Sequence, residues 1–242
     1  MTACVRPDWP APANVRALVT LREGGASTGP YAALNLAGHV GDRAEAVAAN
    51  RARLVASQSL PAEPCWLEQV HGNHCVRAES APPAVPVADA AWTDTTGVVC
   101  AVLTADCLPI LLCDRAGTRV AAVHAGWRGL SGGVIANAVR CLSASSEVLA
   151  WIGPGIGQDA YRVDEAFRQR FMAQDAAYAD AFSLREDGWH CDLSGIARHQ
   201  LRAAGVVEVS RYAGCCHAEP DRFFSHRRDG VCGRFASLVW LD

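Results

Sequence analysis

The chain has 242 residues, half of them hydrophobic and 19% charged, and its formal net charge is −3. This is the composition of an ordinary globular protein, and it offers no basic face to nucleic acid or to a membrane surface, so we expect neither as a partner. All 22 basic residues are arginine, which excludes a Schiff-base or P-loop lysine and leaves arginine, backbone amides or a metal to bind phosphate.

The first residues, MTACVRPDWPAPANV, lack the apolar region of a secretory signal, and we therefore expect a cytoplasmic protein. In that reducing compartment the 11 cysteines, an odd number without a C-x-x-C motif, do not predict a disulfide framework. Most of them, such as Cys100 and Cys113 within apolar segments, are predicted to be small buried hydrophobic residues.

The N-terminal third contains a long glycine-rich loop at 21–42, followed by an alanine-rich helix at 43–57. Further along, residues 65–78 (CWLEQVHGNHCVRA) are typical of two strands joined by a tight turn that begins at His71. Residues 79–90 are predicted to form an exposed loop. The turn carries an imidazole where a plain turn residue would serve, which makes His71 a candidate functional residue.

Three short β-prone segments follow in the chain. They span residues 97–104, 109–114 and 120–126. Their short links predict an antiparallel meander, in which the end of the first strand, the start of the second and the end of the third lie on one edge. Asp106 and Cys107 would then share that edge with His124, although they are well separated from it in sequence.

A thiolate and two imidazoles suit Zn²⁺ or copper by ligand softness. We therefore predict a metal site formed by His71, Cys107 and His124, with zinc as the metal and copper as the alternative. Three protein ligands leave a fourth position open, which is typical of catalytic rather than structural zinc. A fourth protein ligand, Asp106 or His74, would instead indicate a non-catalytic metal-binding domain.

A helix that begins near Leu130 or Ser131 is predicted by the segment HAGWRGLSGGVIANAVRCL at 124–142. A helix N-terminus with Arg128 beside it can bind an anion, and a strand-to-helix connection with a solvated arginine explains the same pattern. Residues 147–171 then place the glycine-rich loop WIGPGIG between a strand and a helix. A dinucleotide-binding loop would need its third glycine at a different spacing, so a loop that approaches substrate is the better interpretation.

Two helices are predicted around 164–174 and 194–203, and an arginine-rich loop then leads to a final buried strand. No internal repeat, low-complexity tract or linker divides the chain. We therefore predict a single domain over residues 1–242.

The chain resembles the YfiH family, a group often named laccase-domain or polyphenol oxidase proteins, in long motifs that match in order over nearly its whole length. These motifs are GGASTGPYAALNLAGHVGD, WLEQVHGN, TADCLPILL, VAAVHAGWRGL, WIGPGIG and FFSHRRDGVCGR. The resemblance implies an α/β (α+β) fold, a layered α/β/β/α sandwich with mixed β-sheets. It also implies that the family's metal ligands correspond to His71, Cys107 and His124.

The resemblance leaves three reactions open. The first is a zinc-dependent purine nucleoside enzyme, which would cleave adenosine, inosine, guanosine and methylthioadenosine with phosphate and would also deaminate adenosine. The second is a hydrolase of a peptidoglycan precursor, with Cys107 as nucleophile and His124 or His71 as its base. The third is a polyphenol oxidase; the eight histidines include no His-X-His pair, so the sequence permits a single copper site and not a multicopper cluster.

The nucleoside reactions assign further roles. With Cys107 as a zinc ligand, the open coordination position suits the activation of water. Asp106 is the predicted proton shuttle, and a turn acid that accepts hydrogen bonds from backbone amides is the structural alternative. Arg128 and Arg22 are the candidates for binding phosphate.

Overall fold

The computed structural model describes residues 2–80, 84–142 and 147–242. The strands are β1 (Cys4–Val5), β2 (Val15–Thr20), β3 (Cys75–Arg77), β4 (Ala90–Thr93), β5 (Cys100–Thr104), β6 (Leu108–Asp114), β7 (Val120–Ala125), β8 (Val148–Ile152), β9 (Arg162–Val163), β10 (Phe182–Arg185), β11 (Gly188–Cys191), β12 (Glu208–Arg211) and β13 (Phe235–Leu241). The α-helices are α1 (Ala44–Gln58), α2 (Trp127–Ser131), α3 (Val134–Leu142), α4 (Glu165–Met172), α5 (Leu193–Ala203) and α6 (His226–Asp229). Short 3₁₀ helices lie at Gly29–Tyr31, Gln158–Ala160 and Ala176–Ala181.

These strands form three sheets. A four-stranded antiparallel sheet has the order β1-β2-β13-β5, and a three-stranded antiparallel sheet has the order β10-β11-β9. A six-stranded mixed sheet has the order β12-β8-β6-β7-β4-β3, in which β8–β12 and β3–β4 are parallel pairs. No helix within the described ranges is both long and apolar enough to cross a membrane.

The two larger sheets stack face to face because the four-stranded sheet is apolar on both of its faces. Along β5, Val102 packs into the main core that it shares with the six-stranded sheet, whereas Leu103 points to the opposite side. On that side Leu54 of α1 covers the sheet. The helices α3 and α5 pack against each other, and α3 covers the far face of the six-stranded sheet. The predicted α/β/β/α sandwich is confirmed.

The predicted three-stranded meander is wrong. β5 pairs with β13 in the four-stranded sheet, whereas β6 pairs with β7 and β8 in the six-stranded sheet. Residues 105–107 therefore cross from one sheet to the other, and Asp106 takes a positive φ of 89° in the crossing. All five residues of β5 are buried, and a strand that is apolar on both sides carries no sequence signal for its partner.

Two local predictions also need correction. Residues 65–78 do not form a hairpin, because β3 pairs with β4 in parallel and the preceding segment makes only isolated bridges. The helix after β7 begins at Trp127 rather than near residue 130, with Gly129 inside it. Gly129 is buried, and a Cβ there would lie 3.1 Å from the carbonyl oxygen of Gly72. The absence of a side chain at Gly129 therefore lets the helix lie close to the segment that contains Gly72, and the residue does not mark a loop.

Other predicted elements are confirmed. The helix expected at 43–57 is α1, and those expected around 164–174 and 194–203 are α4 and α5; the final buried strand is β13. Of the loop predicted at 79–90, residues 81–83 lie outside the described part of the chain, and Ala88 to Ala90 are buried at the entry to β4.

Candidate metal centre

The fold brings His71, Cys107 and His124 together at the junction of the two stacked sheets. Their ligand atoms all lie within 4.8 Å of one another, and within the described residues they are the one group of three or more His, Cys, Asp or Glu side chains that could hold a metal. The two imidazole rings meet edge to face with centroids 4.8 Å apart, and His71 Nε2 lies 4.0 Å from Cys107 Sγ. Neither His74 nor Asp106 belongs to the group.

The backbone fixes each of these positions. His124 lies near the end of β7 opposite Pro109 of β6, and Cys107 is the residue that precedes β6. His71 occupies a bend with a positive φ of 60°. A Cβ on Gly126 would approach Cys107 Sγ to 2.8 Å and His71 Cδ2 to 3.2 Å. Glycine at 126 therefore leaves the space between the thiol and the imidazole that a metal would need.

Asp89 organises two of the three candidate ligands, and sequence reasoning missed it. Its side chain is fully buried, and Oδ1 accepts a hydrogen bond of 2.7 Å from His124 Nδ1. The same carboxylate accepts hydrogen bonds from the backbone amides of Val70, His71 and Gly72 at 3.2, 2.9 and 2.6 Å. One acid thus orients an imidazole and shapes the bend that carries another. The available signal was a lone acid in the apolar run VADAAW.

The carboxylate acceptor determines which histidine nitrogen can bind a metal. Because an ionised carboxylate can only accept, His124 Nδ1 carries a proton and Nε2 is left for a metal. Burial opposes ionisation of Asp89, but the hydrogen bonds from His124, Gly72 and His71 lower the pKa of its carboxyl group below the usual value. Two imidazole nitrogens and one sulfur, with Cys107 as a thiolate, fit Zn²⁺ or copper.

The metal-free electrostatics also favour the thiolate. Burial raises the pKa of Cys107, but the nearby His124 and His71 outweigh it and lower that pKa to about 6. Burial lowers the pKa of His124, whereas Cys107 and Asp89 raise it to about 9. The arrangement therefore stabilises a thiolate beside an imidazolium when no cation balances the charge.

The three residues line a cavity of about 470 Å³ whose other lining residues include several basic side chains. Arg128, Arg227 and Arg234 line it together with His39. Burial and then the neighbouring Arg234 lower the pKa of His39. The size is that of a small-molecule site, and the arginines can bind an anionic group. Arg227 and Arg234 belong to the motif FFSHRRDGVCGR, whose arginines sequence reasoning noted without assigning them to a site.

The two predicted phosphate-binding arginines have different surroundings. Arg128 lines the cavity and lies 4.4 Å from the centre of the Trp127 ring. Arg22 is not among the described residues that line the cavity. Its guanidinium donates to the carbonyl oxygens of Ala32 and Pro220 and lies over the ring of Phe224. Arg22 thus connects two loops, and the structure does not bring it to the His-Cys-His cluster.

Asp106 lines the cavity, and its carboxylate accepts hydrogen bonds from the C-terminal loop. Ser225 Oγ and Cys216 Sγ donate to Oδ1 at 2.6 and 3.2 Å, and the Arg227 amide donates to Oδ2 at 2.6 Å. The Asp106 carbonyl accepts from the amide of Ile156 in the glycine-rich loop at 2.9 Å. These contacts fit the predicted turn acid, and they hold the arginine-bearing loop and the glycine-rich loop beside Cys107.

Comparison with known proteins identifies the chain's relatives. Residues 16–242 match the family model described as "Multi-copper polyphenol oxidoreductase laccase". The chain is 46% identical to "Purine nucleoside phosphorylase YfiH" of Escherichia coli over 242 residues, covering 100% of both, and 48% identical to a Pseudomonas aeruginosa protein also named purine nucleoside phosphorylase, covering 100% of both.

Solved structures agree with the sequence relatives. The crystal structure of a Neisseria meningitidis protein superposes with a TM-score of 0.94 at 46% identity, covering 99% of each chain. YlmD from Geobacillus stearothermophilus superposes with a TM-score of 0.90 at 30% identity, covering 99% of this chain and 98% of its own. The chain belongs to the YfiH family, the one that the laccase-named family model describes.

Proposed function

We propose that this protein is a metal-dependent purine nucleoside phosphorylase. It would cleave adenosine, inosine, guanosine and methylthioadenosine with phosphate, giving the free base and the ribose 1-phosphate, and would also deaminate adenosine. The names of full-length relatives support the phosphorylase activity. The observation that carries the proposal is the His-Cys-His cluster that shares one cavity with three arginines.

The arginines answer the main requirement of phosphorolysis, which is to hold a phosphate dianion beside the sugar. Arg128, Arg227 and Arg234 line the same cavity, and guanidinium is the side chain that binds phosphate in two-point geometry. In Arg227 and Arg234 one guanidinium nitrogen, Nη1, already donates to backbone carbonyls, which leaves the other donors of each group for an anion. The Arg128 guanidinium makes no hydrogen bond or ion pair with the residues that the structure describes, so it has donors to offer. Arg22 donates to the carbonyl oxygens of two loops instead, so the proposal places phosphate at Arg128 and not at Arg22.

The metal would be held by His71, Cys107 and His124, with Asp89 orienting His124. When bound, Zn²⁺ or Cu²⁺ would supply a Lewis acid with an open position. For adenosine deamination, Asp106 stays the predicted proton shuttle: it lines the cavity, and Oδ2 accepts one hydrogen bond, from the Arg227 amide. The proposal places both the phosphorolysis and the deamination in the cytoplasm.

A Cys-His hydrolase is the second candidate, and one observation favours it. Cys107, His124 and Asp89 form a thiol–imidazole–carboxylate series in which the pKa of Cys107 is lowered to about 6. A thiolate at neutral pH is a nucleophile. The multicopper reaction finds less support, because the described residues supply one three-ligand cluster, which would hold a single copper.

The deciding experiment incubates metal-loaded protein with each nucleoside, with and without phosphate, and separates the products by chromatography. Phosphate-dependent release of base supports the proposal, and release of base without phosphate or no release at all contradicts it. Chelator and thiol alkylator separate the two candidates. A phosphorylase is inhibited reversibly by chelator, whereas a Cys-His hydrolase keeps its activity in chelator and loses it when the metal-free protein is alkylated.

A further inference from the structure

A second cleft opens beside the cavity that His71, Cys107 and His124 line, which we call the metal cavity. It has a volume of about 670 Å³ and carries four aromatic side chains, Trp127, Tyr161, Phe167 and Trp189, which we call the aromatic cleft. Trp127, Tyr161 and Arg227 line both this cleft and the metal cavity. A ligand that occupies the metal cavity can therefore extend into the aromatic cleft.

Flat cations already lie on the rings of this cleft. The Arg168 guanidinium lies 4.5 Å from the centre of the Trp189 ring, and that of Arg227 lies 5.0 Å from the centre of the Tyr161 ring. Aromatic rings and guanidinium planes are the surfaces on which proteins stack nucleobases. Of the parts of a nucleoside, only the base has flat π-faces, so the base is the part that this cleft fits.

Tyr161 stands where the two spaces meet. It is only 8% exposed, yet its hydroxyl makes no hydrogen bond with any residue that the structure describes. Each of the other three tyrosines has a partner for its hydroxyl: Tyr31 donates to Val40, Tyr178 accepts from Gln200, and Tyr212 donates to Glu219. The hydroxyl is not among the fully buried side-chain atoms that lack a partner, so it is open to the space where the two clefts join and can donate to a ligand there.

We propose that the aromatic cleft binds the purine base during phosphorolysis and that the Tyr161 hydroxyl donates a hydrogen bond to a ring nitrogen of that base. The inference rests on the proposed phosphorylase activity and adds to it the place of the base. The phosphate then lies on the other side of the ribose, among the arginines of the metal cavity.

The chemistry of the reaction explains why a donor is useful there. A phosphate oxygen forms a bond to the anomeric carbon as the glycosidic bond breaks, and the electron pair of that bond moves onto the base. The proton that hydrogen phosphate loses ends on a base nitrogen, so atoms and charge balance. A hydrogen bond from Tyr161 to the base becomes stronger as negative charge develops, and it therefore stabilises the transition state more than the ground state.

The test compares Tyr161→Phe with Tyr178→Phe, since Tyr178 is 7% exposed and its hydroxyl is engaged in the protein. We expect Tyr161→Phe to lower kcat/KM for inosine by roughly tenfold to a hundredfold. The phosphate KM, the metal content and Tm should stay at their parent values, because the lost hydroxyl had no partner in the protein. Equal kcat/KM in Tyr161→Phe and the parent would overturn the role of Tyr161.

Binding of the free base tests the cleft independently of turnover. Equilibrium dialysis with hypoxanthine should give a Kd at least tenfold weaker for Trp189→Ala than for the parent, with Trp189→Phe close to the parent. Trp9→Ala is the matched control, since Trp9 is also half-buried but lines a separate cavity. Unchanged hypoxanthine binding in Trp189→Ala overturns the inference. A parent protein that binds hypoxanthine through Trp189 but shows no phosphate-dependent cleavage would leave the cleft in place and refute the phosphorylase activity instead.

Discussion

Two carboxylates lie beside the His-Cys-His cluster, and they hold different segments of the chain in place. Asp89 is fully buried and accepts from His124 and from three successive amides of the bend that carries His71. Asp106 is half-buried and accepts from Ser225, Cys216 and the Arg227 amide of the C-terminal loop. The first holds metal ligands, and the second holds the loop that carries cavity arginines.

The difference shows how one residue type can separate two tasks. A change at Asp89 disturbs the charge and orientation of a ligand directly, because Asp89 bonds to the imidazole itself. A change at Asp106 acts on the C-terminal loop that carries Arg227, and the hydrogen bonds of the His-Cys-His cluster stay intact. Metal affinity and substrate chemistry should therefore respond to different substitutions.

The largest effect is expected at the ligands themselves. His71→Ala, Cys107→Ala and His124→Ala should each lose the metal, about one ion per chain in the parent, because two protein ligands bind zinc too weakly to survive purification. Elemental analysis measures this. His74→Ala is the control and should keep the metal, since His74 is near the cluster in sequence but outside it. Full metal retention in all three ligand variants would contradict the site.

Asp106→Asn tests the substrate side of the comparison. If Asp106 is the proton shuttle, the variant keeps its metal and its nucleoside KM, and kcat for adenosine deamination falls by about 10²–10⁴-fold. A near-normal kcat with a lower Tm would instead assign Asp106 to the turn alone. In that case the NH₂ group of the introduced asparagine faces hydroxyl, thiol or amide donors in place of an acceptor. The free energy of unfolding then falls by about 2 kcal/mol, which lowers Tm by roughly 4–8 °C.

Asp89→Asn tests the metal side. We expect metal affinity to fall by about 10- to 100-fold, because the amide fixes His124 less well and removes the negative charge behind it. Competition with a chromogenic chelator gives the affinity of the parent, Asp89→Asn and Asp106→Asn. Equal losses in the two Asn variants would remove the distinction between the carboxylates.

Arg128→Ala and Arg22→Ala separate a cavity arginine from a structural one. Arg128→Ala should raise the phosphate KM by about tenfold or more, as expected for a lost charge-assisted hydrogen bond of roughly 1.5–3 kcal/mol. Arg22→Ala should leave the phosphate KM unchanged and lower Tm, because it loses contacts to two loops. Steady-state kinetics at varied phosphate concentration measures the difference. An unchanged phosphate KM in Arg128→Ala would show that Arg128 is a solvated arginine that does not bind phosphate.

The smallest effect is a shift in a pH profile of the metal-free protein. Alkylation of Cys107 follows the thiolate, so its rate should rise with pH and reach half its maximum near pH 6. Asp89→Asn should move that midpoint upward. Without the Asp89 charge the pKa of His124 falls, and less protonated His124 remains to stabilise the Cys107 thiolate. Mass spectrometry of the Cys107 peptide measures the rate, and Cys113, whose pKa burial raises to about 12, is the internal control. An unchanged midpoint in Asp89→Asn would show that Asp89 does not influence the ionisation of Cys107 through His124.

Sequence patterns predicted the elements whose signals are local. The alanine-rich α1 and the amphipathic α5 appear close to their predicted bounds, and the buried β13 ends the chain as expected. The residue types His, Cys and His at turns and strand ends suggested a soft-metal site through ligand softness, although the meander that was expected to bring Cys107 beside His124 does not form. The family resemblance agreed with that choice.

The tertiary structure alone decided which strands pair and which side chains surround the ligands. Strands that are buried on both faces, such as β5, show no alternation of apolar and polar residues that would identify their sheet, and the predicted meander failed for that reason. Asp89 and Tyr161 come from distant segments, and their importance depends on which hydrogen bonds they make or lack. A sequence states which donors and acceptors exist, whereas only the folded chain determines which of them meet and which remain for a ligand.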